Sequence, residues 1–117
     1  MTQPSTPLTD LEYDAATSKV FAAIEAAVDR WLQQDVIDID TQRTGGLLEL
    51  TVPRGGKIVI NTQPPLHELW LAGRSGGYHF KHNAGRWIDR DGREFFERLS
   101  ECASEQAGCA LRFESPV

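Results

Sequence analysis

The 117-residue chain has no apolar run approaching the ~20 residues that a membrane-spanning helix needs. Its opening, Met1-Thr-Gln-Pro-Ser-Thr-Pro, lacks the basic start and apolar centre of a secretory signal, and the arginines of a transit peptide. No membrane partner and a cytoplasmic location are therefore expected. Cysteine is scarce. Cys102 and Cys109 are too few for a disulfide framework and are not spaced as a metal knuckle, so both are read as reduced thiols. There is no internal repeat or low-complexity tract. Catalytic signatures are missing too: no phosphate-binding glycine loop, no nucleophile elbow and no HExxH. Gly55-Gly56-Lys57 and Gly76-Gly77 are turn glycines without the spacing of a phosphate loop. The expectation is a protein that is not an enzyme. Nor is there a basic excess, since the net charge is −5. Residues 10–40 hold eight acids (Asp10, Glu12, Asp14, Glu25, Asp29, Asp35, Asp38, Asp40) against Lys19 and Arg30, leaving the remainder at +1. This asymmetry argues against nucleic acid at the N-terminal third and for a cationic partner there.

What the chain does contain is enough for one domain with a modest core. Residues 1–8 read as a disordered lead-in and 9–117 as a single domain. Thr9 and Glu12 fit a capping box, with Leu8 and Tyr13 placed as its hydrophobic staple. Tyr13, Thr17, Val20, Ile24, Ala27, Val28 and Trp31 recur at three- and four-residue spacing, the stripe of a helix with one buried side. Asp14, Glu25 and Asp29 project beside that stripe. Val36–Asp40 alternates and predicts a strand with Ile37 and Ile39 inward, Asp38 and Asp40 outward. Gly45-Gly46 turns the chain into Leu47–Val52, where Leu48, Leu50 and Val52 form the inward row.

Lys57–Gln63 is dense in β-branched residues and reads as a strand that Pro64-Pro65 must end, because proline has no N–H for a ladder. Leu66–Ala72 restarts as a strand, Gly73–Gly77 turns, and Tyr78-His79-Phe80 continues, an antiparallel meander. Ile58, Ile60, Leu69 and Leu71 then share the inward face, which leaves Asn61, Gln63, Glu68 and Trp70 outward. An exposed indole in the row meant for water is a candidate binding anchor, and the amides beside it make a polar rim. A tryptophan lying flat on neighbouring sheet side chains is the alternative. Asn83-Ala84-Gly85 turns into a short strand at Arg86-Trp87-Ile88. A second helix is predicted from Asp91, with Glu94 three residues later, through Phe95, Phe96, Leu99, Cys102 and Ala103 to a stop at Gly108. Ala110–Phe113 is apolar enough to dock. The fold class is α+β: a two-layer sandwich of five to six antiparallel strands with both terminal helices on one face. His79 and His82 are three apart, but on a strand they do not reliably converge, and a surface or sheet role is expected for them.

Asn61-x-Gln63-x-Pro65-Leu66-His67-x-x-Trp70-Leu71, Gly76-Gly77-Tyr78-His79-Phe80, Trp87-Ile88 and Asp91-Gly92 together resemble the frataxin family, most closely its bacterial CyaY type. The resemblance extends through Gly45-Gly46 into the first helix and covers nearly all of residues 9–113. It implies a helix–sheet–helix sandwich, a role in iron–sulfur cluster assembly, and iron (Fe²⁺ or Fe³⁺) held weakly on an acidic ridge. That ridge would be Asp10, Asp14, Glu25, Asp29, Asp38 and Asp40, with other divalent cations as competitors. It also implies a cysteine desulfurase and an iron–sulfur scaffold protein as partners, met through Asn61, Gln63 and Trp70. The resemblance further implies a monomer with iron-driven oligomers. Ala26, Arg30 and Leu32 interrupt the acidic run that bacterial relatives often carry at the end of this helix. Three alternatives stand beside the regulatory reading: an iron chaperone, carboxylate-based iron oxidation or storage, and an acidic interaction module that never meets metal.

Overall fold

The computed structural model describes residues 7–116. Helix α1 spans Asp10–Gln33. Strands β1 (Asp40–Thr44), β2 (Leu47–Val52), β3 (Gly56–Gln63), β4 (Glu68–Gly73), β5 (Gly76–Asn83) and β6 (Arg86–Ile88) follow, then helix α2 (Phe95–Ala107). The six strands form one antiparallel sheet whose spatial order is the order of the sequence. Of the expected lead-in over residues 1–8, all but Pro7 and Leu8 lies outside the described residues, and Leu8 packs against the core.

The inward rows form as the alternation requires. Leu48, Leu50, Ile58, Ile60 and Leu69 are fully buried, and with Leu71, Phe80 and Trp87 they meet the stripes of both helices in one cluster. α1 buries Phe21 as well as the stripe named above, and α2 buries Phe95, Phe96, Leu99, Cys102, Ala103 and Gln106. The capping box at Thr9 and Glu12 is present, with Glu12 N–H donating to Thr9 Oγ1 at 3.1 Å. The tail docks through Leu111 and Phe113, and Phe113 meets Trp31 edge-on at 4.8 Å. Among the described residues, no side chain on the opposite face of the sheet is buried.

Three boundaries differ from the sequence reading. The first strand is Asp40–Thr44, not Val36–Asp40. Residues 36–39 carry the chain from the helix end, where Asp35 adopts φ 56°, to the sheet edge; Ile39 is buried and Ile37 half-buried without ladder pairing. The β1–β2 register sets Asp40 opposite Thr51, so Asp38 would face Pro53, which has no N–H to extend the ladder. Leu66 does not restart a strand: Pro64–Leu66 forms a 3₁₀ turn, His67 takes φ 50°, and β4 begins at Glu68. The next turn is tighter than expected, since Gly73 pairs with Gly76. Finally, α2 begins at Phe95 with Glu94 as its cap, not at Asp91. Asp89 accepts the N–H groups of Asp91 and Arg93, both at 2.9 Å, holding residues 89–93 in a turn that Gly92 completes at φ 78°.

Candidate functional site

The flank of α1 beside its buried stripe presents Asp10, Asp14, Glu25 and Asp29. Glu25 is half-buried; the other three, with Asp38 and Asp40, are exposed. Asp10 and Asp14, like Glu25 and Asp29, are i,i+4 neighbours roughly 5–6 Å apart at Cβ. The step of eleven positions from Asp14 to Glu25 separates the two pairs by about 16 Å along the axis. Asp38 precedes β1 and Asp40 opens it. Among the described residues, no three His, Cys, Asp or Glu side chains converge in a way that could hold a metal ion.

Half of these carboxylates are already engaged. Asp10 Oδ1 lies 2.7 Å from His67 Nε2, Glu25 pairs with Arg43 at 3.2 Å, and Asp29 accepts from Gln33 Nε2 at 3.2 Å. Asp14, Asp38 and Asp40 have no side-chain partner among the described residues. The donors are hard oxygens, which fit Fe²⁺, Fe³⁺, Mg²⁺ or Ca²⁺ without enforcing a geometry. Mostly exposed and arranged in pairs, they offer an ion no enclosed ligand set.

The second surface is the sheet face opposite the helices. The β3–β4 register sets Asn61 opposite Trp70 and Gln63 opposite Glu68. All four are half-buried. Trp70 is thus outward, as its parity requires, yet it does not stand free. Its ring stacks on His79 with centroids 3.9 Å apart and planes 7° from parallel, and its Nε1 donates to Glu68 Oε1 at 2.8 Å. His79 was missed as the floor of this indole. The two-residue turn at Arg74-Ser75 holds the signal: pairing Gly73 with Gly76 puts Trp70 opposite His79. His82 points to the other face, edge-on to Trp87 at 5.1 Å, so the two histidines do not meet. Burial pushes the His82 imidazole below its ordinary pKa, against the opposing pull of the Glu12 carboxylate.

Tyr13 joins the two surfaces. Its hydroxyl donates to the Glu68 carbonyl at 2.5 Å and accepts from the Gln63 N–H at 3.0 Å, which closes the β3–β4 connection. Burial raises the Tyr13 pKa above the ordinary phenol value. His67 stacks on the Tyr13 ring at 4.7 Å while contacting Asp10. One aromatic pair therefore fixes the first turn of the acidic helix to the strands that carry the outward row.

Comparison with known proteins agrees with this architecture. The family model of the frataxin-like domain matches residues 6–109. The iron–sulfur cluster assembly protein CyaY of Polaromonas sp. (strain JS666) is 47% identical over 111 residues, covering 94% of this chain and 96% of that protein. A solved frataxin from Psychromonas ingrahamii superposes with a TM-score of 0.79 at 32% identity, covering 92% and 99% of the two chains. The trimeric frataxin of Saccharomyces cerevisiae, solved in complex with ferrous ion, has a TM-score of 0.65 at 23% identity over 92% and 93%, a likeness of fold.

Proposed function

This chain belongs to the frataxin family, and on that premise we propose that it is a non-enzymatic, iron-binding regulator of iron–sulfur cluster assembly. In this reading the α1 carboxylates Asp10, Asp14, Glu25 and Asp29, with Asp38 and Asp40, hold ferrous or ferric iron weakly and exchangeably. The same negative flank docks a basic patch on a cysteine desulfurase. Asn61, Gln63 and Trp70 contact the assembly complex of desulfurase and scaffold. Iron on the flank lowers its negative charge and so weakens docking, which couples iron supply to sulfur delivery. The naming of the Polaromonas relative for iron–sulfur cluster assembly supports the pathway.

The observation that carries the reading is Trp70. A large apolar ring lies on a sheet face that neither helix covers among the described residues, rimmed by the amides of Asn61 and Gln63. Interfaces concentrate their binding energy in such aromatic anchors set in polar surroundings. The charge of residues 10–40 supplies the complementary electrostatics, acting chiefly on association rate and salt dependence.

Binding to a cysteine desulfurase, with and without Fe²⁺, tests this for the wild type and for Trp70→Ala. Loss of binding in a folded Trp70→Ala variant is expected, and so is weaker binding with Fe²⁺ present. Equal binding by both proteins would confine docking to the acidic flank. Failure of the wild type to bind would end the regulatory reading. Charge reversal at Glu25 and Asp29 is expected to weaken binding most at low salt, where screening is least.

A further inference from the structure

A cavity of about 370 Å³ opens between α1, the β5–β6 hairpin and the C-terminal tail, away from both surfaces described above. Its walls come from Ala15, Ala16 and Val20 on one side and Trp87 and Phe96 on the other. Trp87 and Phe96 are themselves buried and form a rigid aromatic floor. The space exists because α1 presents two alanines where larger side chains would reach that floor. Its volume lies in the range of small-molecule sites, roughly 300–1,000 Å³.

The charges at the rim are divided unequally. Glu12 is tied to the Thr9 N–H at 3.0 Å, and Glu94 to the N–H groups of Phe96 and Glu97 at 2.8 and 3.1 Å. Both acids thus serve helix N-termini, where the helix dipole offsets negative charge. Lys19 and Arg86, which also line the cavity, have no ion pair or side-chain hydrogen bond among the described residues. His82 closes one wall, half-buried against Trp87. Apolar walls, an aromatic floor and two uncommitted cations make a recognisable combination.

We propose that this cavity binds a small organic anion with an apolar body, of the carboxylate class. The hydrocarbon lies against Trp87 and Phe96, and the carboxylate is taken by Lys19 and Arg86, the guanidinium offering the planar fork that a carboxylate accepts. The site needs neither metal nor partner protein, so it stands or falls separately from the regulatory role.

Titration of the ¹⁵N-labelled protein with sodium octanoate tests it, followed by amide shifts, with octylammonium as the charge-inverted control. Saturable shifts confined to residues around Ala15, Ala16, Trp87 and Phe96 are expected with octanoate and not with octylammonium. The double variant Lys19→Gln/Arg86→Gln should bind octanoate about tenfold more weakly. Ala16→Leu, which fills the space and leaves the charges, should abolish saturation; Ala15→Leu repeats that test on the exposed side of the wall. Equal response to both amphiphiles, octanoate binding untouched by these substitutions, or no saturable shift in the wild type would each overturn the proposal.

Discussion

Replacing Tyr13 with phenylalanine removes one oxygen atom and keeps the ring that stacks on His67 and meets Trp87 edge-on at 6.0 Å. The loss is therefore confined to two hydrogen bonds: the one donated to the Glu68 carbonyl and the one accepted from the Gln63 N–H. A net hydrogen bond contributes about 1 kcal/mol, and a polar group left unpaired out of reach of water costs about 1–3 kcal/mol. Both orphaned groups belong to backbone beside a residue only 1% exposed, so Tyr13→Phe should cost about 2–3 kcal/mol at neutral pH. In urea unfolding, with a slope of about 1–2 kcal/mol/M, this moves the midpoint down by about 1–3 M without changing the slope. A second signature separates the hydroxyl from packing. Burial raises the pKa of Tyr13 in the folded state, so its contribution is complete below the phenol value of the unfolded chain, 10.0, and is lost as pH rises through the folded value. The wild type should lose stability above about pH 10, and the gap to Tyr13→Phe should narrow there. A neutral-pH difference under about 0.5 kcal/mol, or a gap that stays constant into alkali, would refute the account.

Two further substitutions probe how the turns are held. Gln106 accepts from the Arg74 N–H at 2.8 Å and donates to the Gly55 and Lys57 carbonyls at 2.9 and 3.3 Å. Gln106→Leu should therefore cost about 2–3 kcal/mol in urea unfolding and expose the Arg74 amide to hydrogen exchange. For Asp89, burial raises the pKa, but bonds from the Arg93 N–H, Arg98 and the Asp91 N–H outweigh it, and the net shift is downward. Its stabilisation is present above the ordinary carboxylate pKa and disappears as pH falls through the depressed folded value, so Asp89→Asn should flatten the acid limb of a stability–pH curve. An acid limb identical to that of the wild type would remove Asp89 from the account.

Much of the fold was legible because its rules are local. Alternation places Leu48, Leu50 and Val52, or Ile58 and Ile60, on one face whatever they meet, and the stripe of α1 needs only helical period. The errors arose where a distant partner decides. Val36–Asp40 alternates because Ile37 and Ile39 turn toward the core, but a strand also needs a neighbour, and β2 ends at Val52. Asp91 has the spacing of a cap, yet Asp89 takes its N–H first. The outward parity of Trp70 was readable from its flanking leucines. Its stack on His79 depends on a register set across a turn, and the contact of Asp10 with His67 joins residues 57 apart in sequence. The acids of α1 could be read as a charged flank, while their arrangement in two separated pairs, part of it already engaged, needed coordinates.

The clamp on Trp70 has a thermodynamic consequence. A tryptophan loose on a surface surrenders rotamer freedom when something settles on it, a loss of about 0.5–1.5 kcal/mol for an immobilised side chain. Here Glu68 holds the indole nitrogen and His79 holds its plane, so that entropy has already been spent in folding. Whatever lands on this face meets a pre-ordered ring, and Glu68 or His79 substitutions should reveal themselves through the entropy of association, even where every direct contact survives.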